Sequence, residues 1–177
     1  MKTDLLQRFK FTLILITMIS IFTSCRSQPP ETVEYVDLEK YAGLWYEIAA
    51  FPARFQKGCT NTTAEYKLSP KGYVIVTNKC KRETRRTEIE GKAFIVPNSG
   101  NAKLKVQFFW PFRGDYWILE LADDYSWAAV GGPKRNYLWI LARSPEMDEK
   151  LYDEITGQIA GKGFDISKLE KTSHDSK

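Results

Sequence analysis

Histidine is almost absent from this sequence, and its absence excludes several kinds of chemistry. The one histidine is His174, the fourth residue from the C-terminal end. Cys-His and Ser-His-Asp catalysis, and haem or zinc sites with histidine ligands, are therefore excluded from the folded region unless the tail folds back. The chain also lacks a strong charge of either sign, with 26 Lys and Arg against 22 Asp and Glu. It has no basic stripe with a recognisable nucleic-acid motif, so a nucleic-acid partner is not expected.

Aromatic residues are plentiful by contrast, with 5 Trp, 9 Tyr and 10 Phe among 177 residues. A chain of this length is expected to form one domain. With a single histidine and no concentrated charge, the composition favours a binding protein over an enzyme or a nucleic-acid-binding protein.

No apolar run is long enough to cross a membrane as a helix. The apolar stretch at residues 11–22 contains no charge and would rise about 18 Å as a helix, whereas a bilayer core is about 30 Å thick. Lys2, Arg8 and Lys10 precede the run, and small residues and Cys25 follow it. The pattern predicts a cleaved export signal over residues 1–24.

The residues before Cys25 resemble the bacterial lipobox, where a signal peptidase cuts before a cysteine that then carries acyl chains such as palmitate. This resemblance implies a lipid anchor at Cys25 and a tether over residues 25–35. Arg26 after the cysteine fits the outer membrane of a bacterium, with the protein on the periplasmic face. Ordinary signal cleavage that leaves Cys25 free is the alternative.

Cys59 and Cys80 are the two other cysteines, and export would bring them to an oxidising compartment. A turn predicted at residues 69–72 makes the segments around them a hairpin. In that hairpin the two cysteines are diagonal neighbours, and a bulge near Gly58 would improve their register. We predict a disulfide between them, with two free, packed thiols as the alternative.

Alternating apolar and polar residues predict an all-β domain. Between residues 102 and 108, for example, apolar residues alternate with Lys103, Lys105 and Gln107. Eight short strands separated by turn signals favour a sandwich or an up-and-down barrel, and the charged strand faces belong in water rather than in lipid. The predicted strands are residues 43–51, 60–68, 73–81, 86–96, 102–109, 115–122, 125–131 and 136–143.

One amphipathic helix follows the predicted strands. Ser144 suits the N-cap and Pro145 the first helical position, while Gly161 or Gly163 ends the helix. Its apolar stripe is predicted to pack on the outside of the sheet. Residues 164–169 are a candidate for a short last strand, and residues 170–177 for a polar tail. The stripe consists of Met147, Leu151, Ile155 and Ile159, with Tyr152 beside them.

Three ordered motifs resemble those of the lipocalin family. Residues 43–49 (GLWYEIA) resemble its G-x-W motif, residues 116–130 (YWILELADDYSWAAV) its second motif, and residues 137–143 (YLWILAR) its third. With the trailing helix the resemblance covers residues 36–169, and it is strongest to bacterial outer-membrane lipoproteins related to apolipoprotein D. It implies an eight-stranded antiparallel up-and-down β-barrel with one C-terminal helix packed outside.

The resemblance also assigns residues. Trp45, Arg143 and Gly43 would close the narrow end, through a cation–π contact worth about 1–2 kcal/mol; a solvated Arg143 at a strand end is the alternative. Strand alternation then directs the residues on the Arg143 face of the last strand inward. A barrel filled by its own side chains is the alternative to a pocket. The predicted ligand-binding residues are Trp139, Tyr137, Leu141, Leu104, Val106, Phe108, Ala93, Ile95 and Tyr116.

The implied function is binding, storage or transport of a fatty acid or lysophospholipid for membrane maintenance. We expect no cofactor and no metal, and a monomer or weak homodimer. Arg54 or Arg113 at the rim is a candidate partner for a headgroup. A lipocalin-fold enzyme using Glu47 or Glu120, both expected outward or paired with Arg, is one alternative. A surface interaction module without a cavity is the other.

Overall fold

A computed structural model describes residues 28–175, so the predicted export signal and Cys25 lie outside the described residues. Two single 3₁₀ turns, at residues 54–56 and 166–168, join longer elements. The helices and strands are α1 (Leu38–Tyr41), β1 (Gly43–Ala50), β2 (Thr60–Leu68), β3 (Val74–Arg82), β4 (Arg85–Ile95), β5 (Lys103–Gln107), β6 (Gly114–Leu121), β7 (Trp127–Gly131), β8 (Leu138–Ala142), α2 (Glu149–Gly161) and β9 (Glu170–Lys171).

The first eight strands form a closed antiparallel barrel. Each strand pairs with the next, and β1 closes the barrel by pairing with both β2 and β8. At Tyr46 the two pairings meet, because this residue lies opposite Thr63 on one side and Ala142 on the other. The predicted up-and-down barrel is therefore confirmed.

The alternating strand directions give the barrel two unlike ends. The closed end, where β1 begins, contains α1 and the connections at residues 69–73, 96–102 and 122–126. The open end contains the connections at residues 51–59, 83–84, 108–113 and 132–137. These two names are used below.

Two hydrophobic clusters lie on the two sides of the barrel wall. The inner cluster includes Trp45, Leu104 and Ile118, and the outer cluster packs β1, β7 and β8 against α2 through Ile155 and Ile159. The helix thus lies outside the barrel, as predicted.

The helix begins later than the sequence predicted. Asp148, and not Ser144, is its N-cap, and its carboxylate accepts the Leu151 amide at 3.2 Å. Ser144 instead accepts the amide of Glu146 in a local turn. Both residue types can cap a helix, and the position of the apolar stripe against the barrel decides which does.

The C-terminal segment also differs from its prediction. Residues 164–169 contain a 3₁₀ turn, while Lys171 and Glu170 pair with Ala49 and Ala50 of β1. Pairing between β1 and β2 stops at Tyr46, which leaves an unpaired edge above it. The predicted polar tail fills this gap, because unpaired strand edges are completed by any segment able to pair.

The segment before the barrel is likewise held by it. The amides of Val33 and Val36 donate to the carbonyls of Ile118 and Gly100 at 3.1 and 2.8 Å. A side chain at Gly100 would lie 1.8 Å from the Glu34 carbonyl oxygen, and its φ is +57°, so only glycine fits this crossing. The described part of the predicted tether therefore lies along the barrel, and it leads into α1, which the sequence reading missed.

Candidate functional site

The closed end is sealed by Trp45 and Arg143. Trp45 is fully buried, and the Arg143 guanidinium lies 3.8 Å from its ring centroid. The indole N–H of Trp45 donates to the Tyr41 carbonyl at 2.8 Å. The predicted contact is present, and it joins the start of β1 to the end of β8.

Arg143 also hydrogen-bonds to several backbone carbonyls at this end. Its guanidinium donates to the carbonyl oxygens of Lys40, Tyr41, Ala42, Leu44 and Tyr125, at distances from 2.7 to 3.3 Å. Desolvation by burial lowers the pKa of Arg143 from its ordinary value, yet an arginine stays protonated in proteins. The guanidinium thus satisfies the carbonyls left without partners at the end of α1.

Three tyrosine hydroxyls meet inside the barrel above this seal. The Tyr116 hydroxyl lies 2.7 Å from those of Tyr41 and Tyr66. Burial raises the pKa of all three phenols above their ordinary value, so each keeps its proton. Three hydroxyls carry three protons and two contacts use two, so one proton has no acceptor among the described residues.

A small apolar cavity adjoins these hydroxyls. Its volume is about 10 Å³, about the space of one water molecule. Gly91 does not leave the interior open, because a side chain there would lie 2.7 Å from the Phe108 ring, which fills that space. This cavity is therefore too small for a lipid, and the space over Gly91 is taken by Phe108. The cavity is lined by Leu38, Tyr41, Ala42, Tyr66, Val74, Ala93, Leu104 and Tyr116.

Eight of the nine predicted ligand-binding residues face the interior. Tyr137 is the exception, since it is 41% exposed and stacks on Trp139 at 5.7 Å between ring centroids. It lies at the rim because β8 begins only at Leu138, so strand alternation no longer directs its side chain inward. The inward residues are Ala93, Leu104 and Leu141, which are buried, and Ile95, Val106, Phe108, Tyr116 and Trp139, which are partly buried.

The two acids considered for catalysis have different surroundings. Glu120 forms an ion pair with Lys162 at 3.0 Å. Glu47 is buried, and its carboxylate accepts from Gln56 Nε2 and Thr172 Oγ1, both at 2.7 Å. Desolvation raises the pKa of Glu47, although these hydrogen bonds oppose the shift. The expectation that Glu47 is outward or paired with Arg is wrong, because β9 and the 54–56 turn enclose it.

Two more polar atoms are buried in the wall without partners. Thr62 Oγ1 on β2 and Asn78 Oδ1 on β3 have no hydrogen-bond partner among the described residues. Buried polar atoms are usually satisfied, so an unpaired one marks a place for a water or ligand atom.

The predicted disulfide between Cys59 and Cys80 is confirmed, with 5.5 Å between the Cα atoms. The bulge that accommodates it lies between Thr60 and Thr63, slightly beyond the predicted position at Gly58. Because both cysteines lie near the open end, the bridge ties the 51–59 connection to β3.

The C-terminal tail folds back onto the barrel, so His174 belongs to the folded region after all. The His174 Nε2 atom lies 2.8 Å from the Glu47 carbonyl oxygen, and its ring contacts Tyr46 edge-on. Within residues 28–175, no group of three or more His, Cys, Asp or Glu side chains is arranged to hold a metal ion. The helices of this same part are all too short or too polar to cross a membrane.

Sequence reasoning missed several residues of this interior. Tyr66 could have been predicted to face inward, because it follows the alternation of β2. Gln56 and Thr172 could not, because they lie in segments without periodicity. The rim candidate Arg113 stacks over Phe94 at 4.2 Å from the ring centroid, and Arg54 is exposed at the open end.

Comparison with known proteins agrees with this geometry. The family model described as a lipocalin-like domain matches residues 36–174. "Temperature-induced lipocalin-1" of Arabidopsis thaliana is 44% identical, covering 80% of this chain and 81% of its own. "Outer membrane lipoprotein Blc" of Citrobacter freundii is 38% identical over 87% and 90% of the two chains. "Apolipoprotein D" of Mus musculus is 32% identical over 90% and 93%.

The same barrel occurs in solved structures. Insecticyanin from Manduca sexta superposes with a TM-score of 0.69 at 22% identity, covering 83% of this chain and 85% of its own. The Trp45–Arg143 seal, the eight-stranded barrel and the outer helix thus have one explanation, which is that this chain belongs to the lipocalin family.

Proposed function

We propose that this lipocalin binds a single-chain amphiphile inside its barrel, and that a fatty acid fits better than a lysophospholipid. The observation that carries the proposal is the chain of three buried tyrosine hydroxyls with one proton left without an acceptor. Apolar side chains surround it, so a ligand that reaches it must be mostly hydrocarbon. A ligand oxygen that accepts the remaining proton would remove the cost of an unmade hydrogen bond.

Burial of the hydrocarbon supplies the driving force. Each methylene removed from water contributes about 0.8 kcal/mol, which exceeds the ordering cost for a long chain. A carboxyl group is small enough to enter with the chain, whereas a phosphorylated headgroup would have to remain at the mouth. This difference in size favours the fatty acid.

The acyl chain needs more space than the cavity at the tyrosine hydroxyls offers. The ring that lies over Gly91 belongs to Phe108, the first residue of the 108–113 connection at the open end. An entering chain would displace this ring toward the open end. Phe108→Ala should therefore speed association with a fatty acid, as measured by stopped-flow fluorescence.

Titration of delipidated Cys25→Ser protein tests the proposal. Palmitic acid should change the fluorescence of Trp139, which lies inside, and Trp139→Phe should reduce the change, leaving only the response of the other interior tryptophan, Trp45. Trp127→Phe is the matched control, because Trp127 packs in the outer cluster. Tyr116→Phe should weaken palmitic acid binding about tenfold, the effect of one lost hydrogen bond. Equal affinity of Tyr116→Phe and wild type would place the carboxyl elsewhere, and no fluorescence change would favour a module without a cavity.

Binding without catalysis agrees with the surroundings of Glu47. Both of its carboxyl oxygens already accept a hydrogen bond, from Gln56 and Thr172. A proton-transferring carboxyl must reach the substrate, and both oxygens of Glu47 contact Gln56 and Thr172 instead.

A lipid anchor at Cys25 in the outer membrane, with the barrel in the periplasm, completes the proposal. The lipobox-like residues support it, as do the relatives named outer membrane lipoproteins. Cys25→Ser should move the protein to the soluble periplasmic fraction. A variant that still sediments with membranes after a high-salt wash would contradict the anchor.

A further inference from the structure

The open end exposes a group of large aromatic side chains. Their exposed fractions range from 41% to 86%, with Trp110 the highest. Contiguous exposed apolar surface on a soluble domain marks a contact surface. We call this group the aromatic rim; it consists of Phe55, Phe109, Trp110, Phe112 and Tyr137.

The same end concentrates positive charge. The three connections at residues 51–59, 108–113 and 132–137, together with the hairpin at residues 82–86, contain eight cations and one carboxylate, Glu83. The whole chain carries only +4, so the rest of the molecule is net negative. The eight cations are Arg54, Lys57, Arg82, Arg85, Arg86, Arg113, Lys134 and Arg135.

The described chain also begins at this end. The carbonyl oxygen of Gln28 accepts from Arg135 Nη2 at 2.7 Å, within the 132–137 connection. Three peptide units separate Gln28 from Cys25, a reach of at most about 10 Å. This reach keeps a group attached to Cys25 on the same side of the molecule as the 132–137 connection.

We propose that the open end docks on an anionic lipid bilayer, with residues 109–112 in the interface and the 82–86 hairpin on the headgroups. Aromatic rings prefer the boundary between headgroups and acyl chains, and nearby Lys and Arg add attraction to anionic lipid. A second copy of the chain is a poorer occupant, because two cationic rims repel each other. Docking places the barrel mouth against the membrane, and it requires no ligand inside the barrel.

Vesicle binding by the full-length Cys25→Ser protein tests this docking without a covalent lipid. Sedimentation should show binding to phosphatidylcholine vesicles that contain one third phosphatidylglycerol, and weaker binding as salt is added. Trp110 fluorescence should shift to the blue and be quenched by brominated lipid. The same quenching in Trp110→Phe would show that another surface is in contact.

Matched variants separate the two contributions. Arg85→Glu/Arg86→Glu should lower the partition coefficient at least about thirtyfold. The control pair, with Lys71→Glu at the closed end and Lys150→Glu on α2, should change it little. Trp110→Ser/Phe112→Ser should lower it about tenfold or more, and Tyr35→Ser, an exposed aromatic at the closed end, should not.

Three results would overturn the proposal: no binding to the anionic vesicles, equal losses in the closed-end controls, or a dimer in light scattering that Trp110→Ser/Phe112→Ser dissociates. The last would identify the rim as a self-association surface. Palmitic acid titration of the same variants without vesicles keeps this test apart from ligand binding, because interior affinity should be unchanged.

Discussion

The two ends of the barrel use the same residue types in opposite ways. At the closed end Trp45 is fully buried, and the Arg143 guanidinium donates hydrogen bonds to backbone carbonyls. At the open end Trp110 is 86% exposed, and the cations of the 82–86 hairpin face solvent. An aromatic and a cation stabilise the fold where they meet each other, and remain available for a partner where they do not.

The difference also shows how each end is held together. Packing and hydrogen bonds hold the closed end, whereas the Cys59–Cys80 bridge and the Arg82 contact with the Phe55 carbonyl hold the open-end connections. Regions with few buried contacts are those that open locally, and binding surfaces are drawn from them. The covalent bridge holds the 51–59 connection against β3 without filling the mouth.

The largest expected effect is at the closed-end tryptophan. Trp45→Ala should lower the free energy of unfolding by about 3–5 kcal/mol, because it leaves a cavity under the barrel. Trp110→Ala should change it by less than about 0.5 kcal/mol, because its side chain is already in water. Urea denaturation of both variants measures the contrast. Similar losses in the two would mean that the open-end aromatics are packed in solution.

Loss of the disulfide should cost nearly as much, although it lies at the open end. In Cys59→Ser/Cys80→Ser the unfolded chain is no longer constrained by a cross-link. The chain-entropy model gives a loss of about 3 kcal/mol in the free energy of unfolding for a loop of this length. Guanidinium denaturation of wild type, with and without reductant, should reproduce the difference. A reductant effect on the double variant would point to a cause other than this bridge.

Arg143→Lys should cost about 2 kcal/mol. An ammonium group cannot reach the several carbonyls that the guanidinium serves, and it stacks less well on Trp45. Arg113→Lys is the open-end counterpart and should leave the unfolding midpoint in place. Equal midpoints for wild type and Arg143→Lys would show that water satisfies these carbonyls.

The smallest effect is a pH dependence at Glu47. Burial raises the pKa of its carboxyl, so the folded state holds this proton more tightly than the unfolded state does. Stability from this group is thus complete at low pH and is lost as pH rises through the folded-state pKa. The melting temperature of Glu47→Gln, measured relative to wild type, should rise from pH 4 to pH 7. The melting temperature of Glu120→Gln should follow that of wild type. A constant difference across this range would place the titration elsewhere, since His174 also lies near Glu47.

Sequence reasoning succeeded where one face of a strand is buried. Period-two alternation indicated eight strands with one buried face, because a one-residue shift would expose every inward side chain. Alternation left a sandwich or a barrel open, and the resemblance of three motifs to the lipocalin family supplied the barrel and the Trp45–Arg143 seal. The disulfide followed from the hairpin turn and export alone. Tyr137 and the helix N-cap were misplaced, because each lies one or more residues outside a periodic segment.

The sequence by itself determined the strands and the pairing of the two bridged cysteines, since these depend on local periodicity and a single turn. Its three motifs indicated the lipocalin fold and the seal of the closed end through their resemblance to that family. Only the tertiary structure decided that the C-terminal tail completes the wall beside β1, that Tyr41, Tyr66 and Tyr116 share one chain of hydroxyls, and that the aromatics and cations gather at the open end. Those relations join residues up to 127 positions apart, as in the contact of Glu47 with His174. Such contacts are fixed by how a closed barrel brings strands together, and no local pattern encodes them.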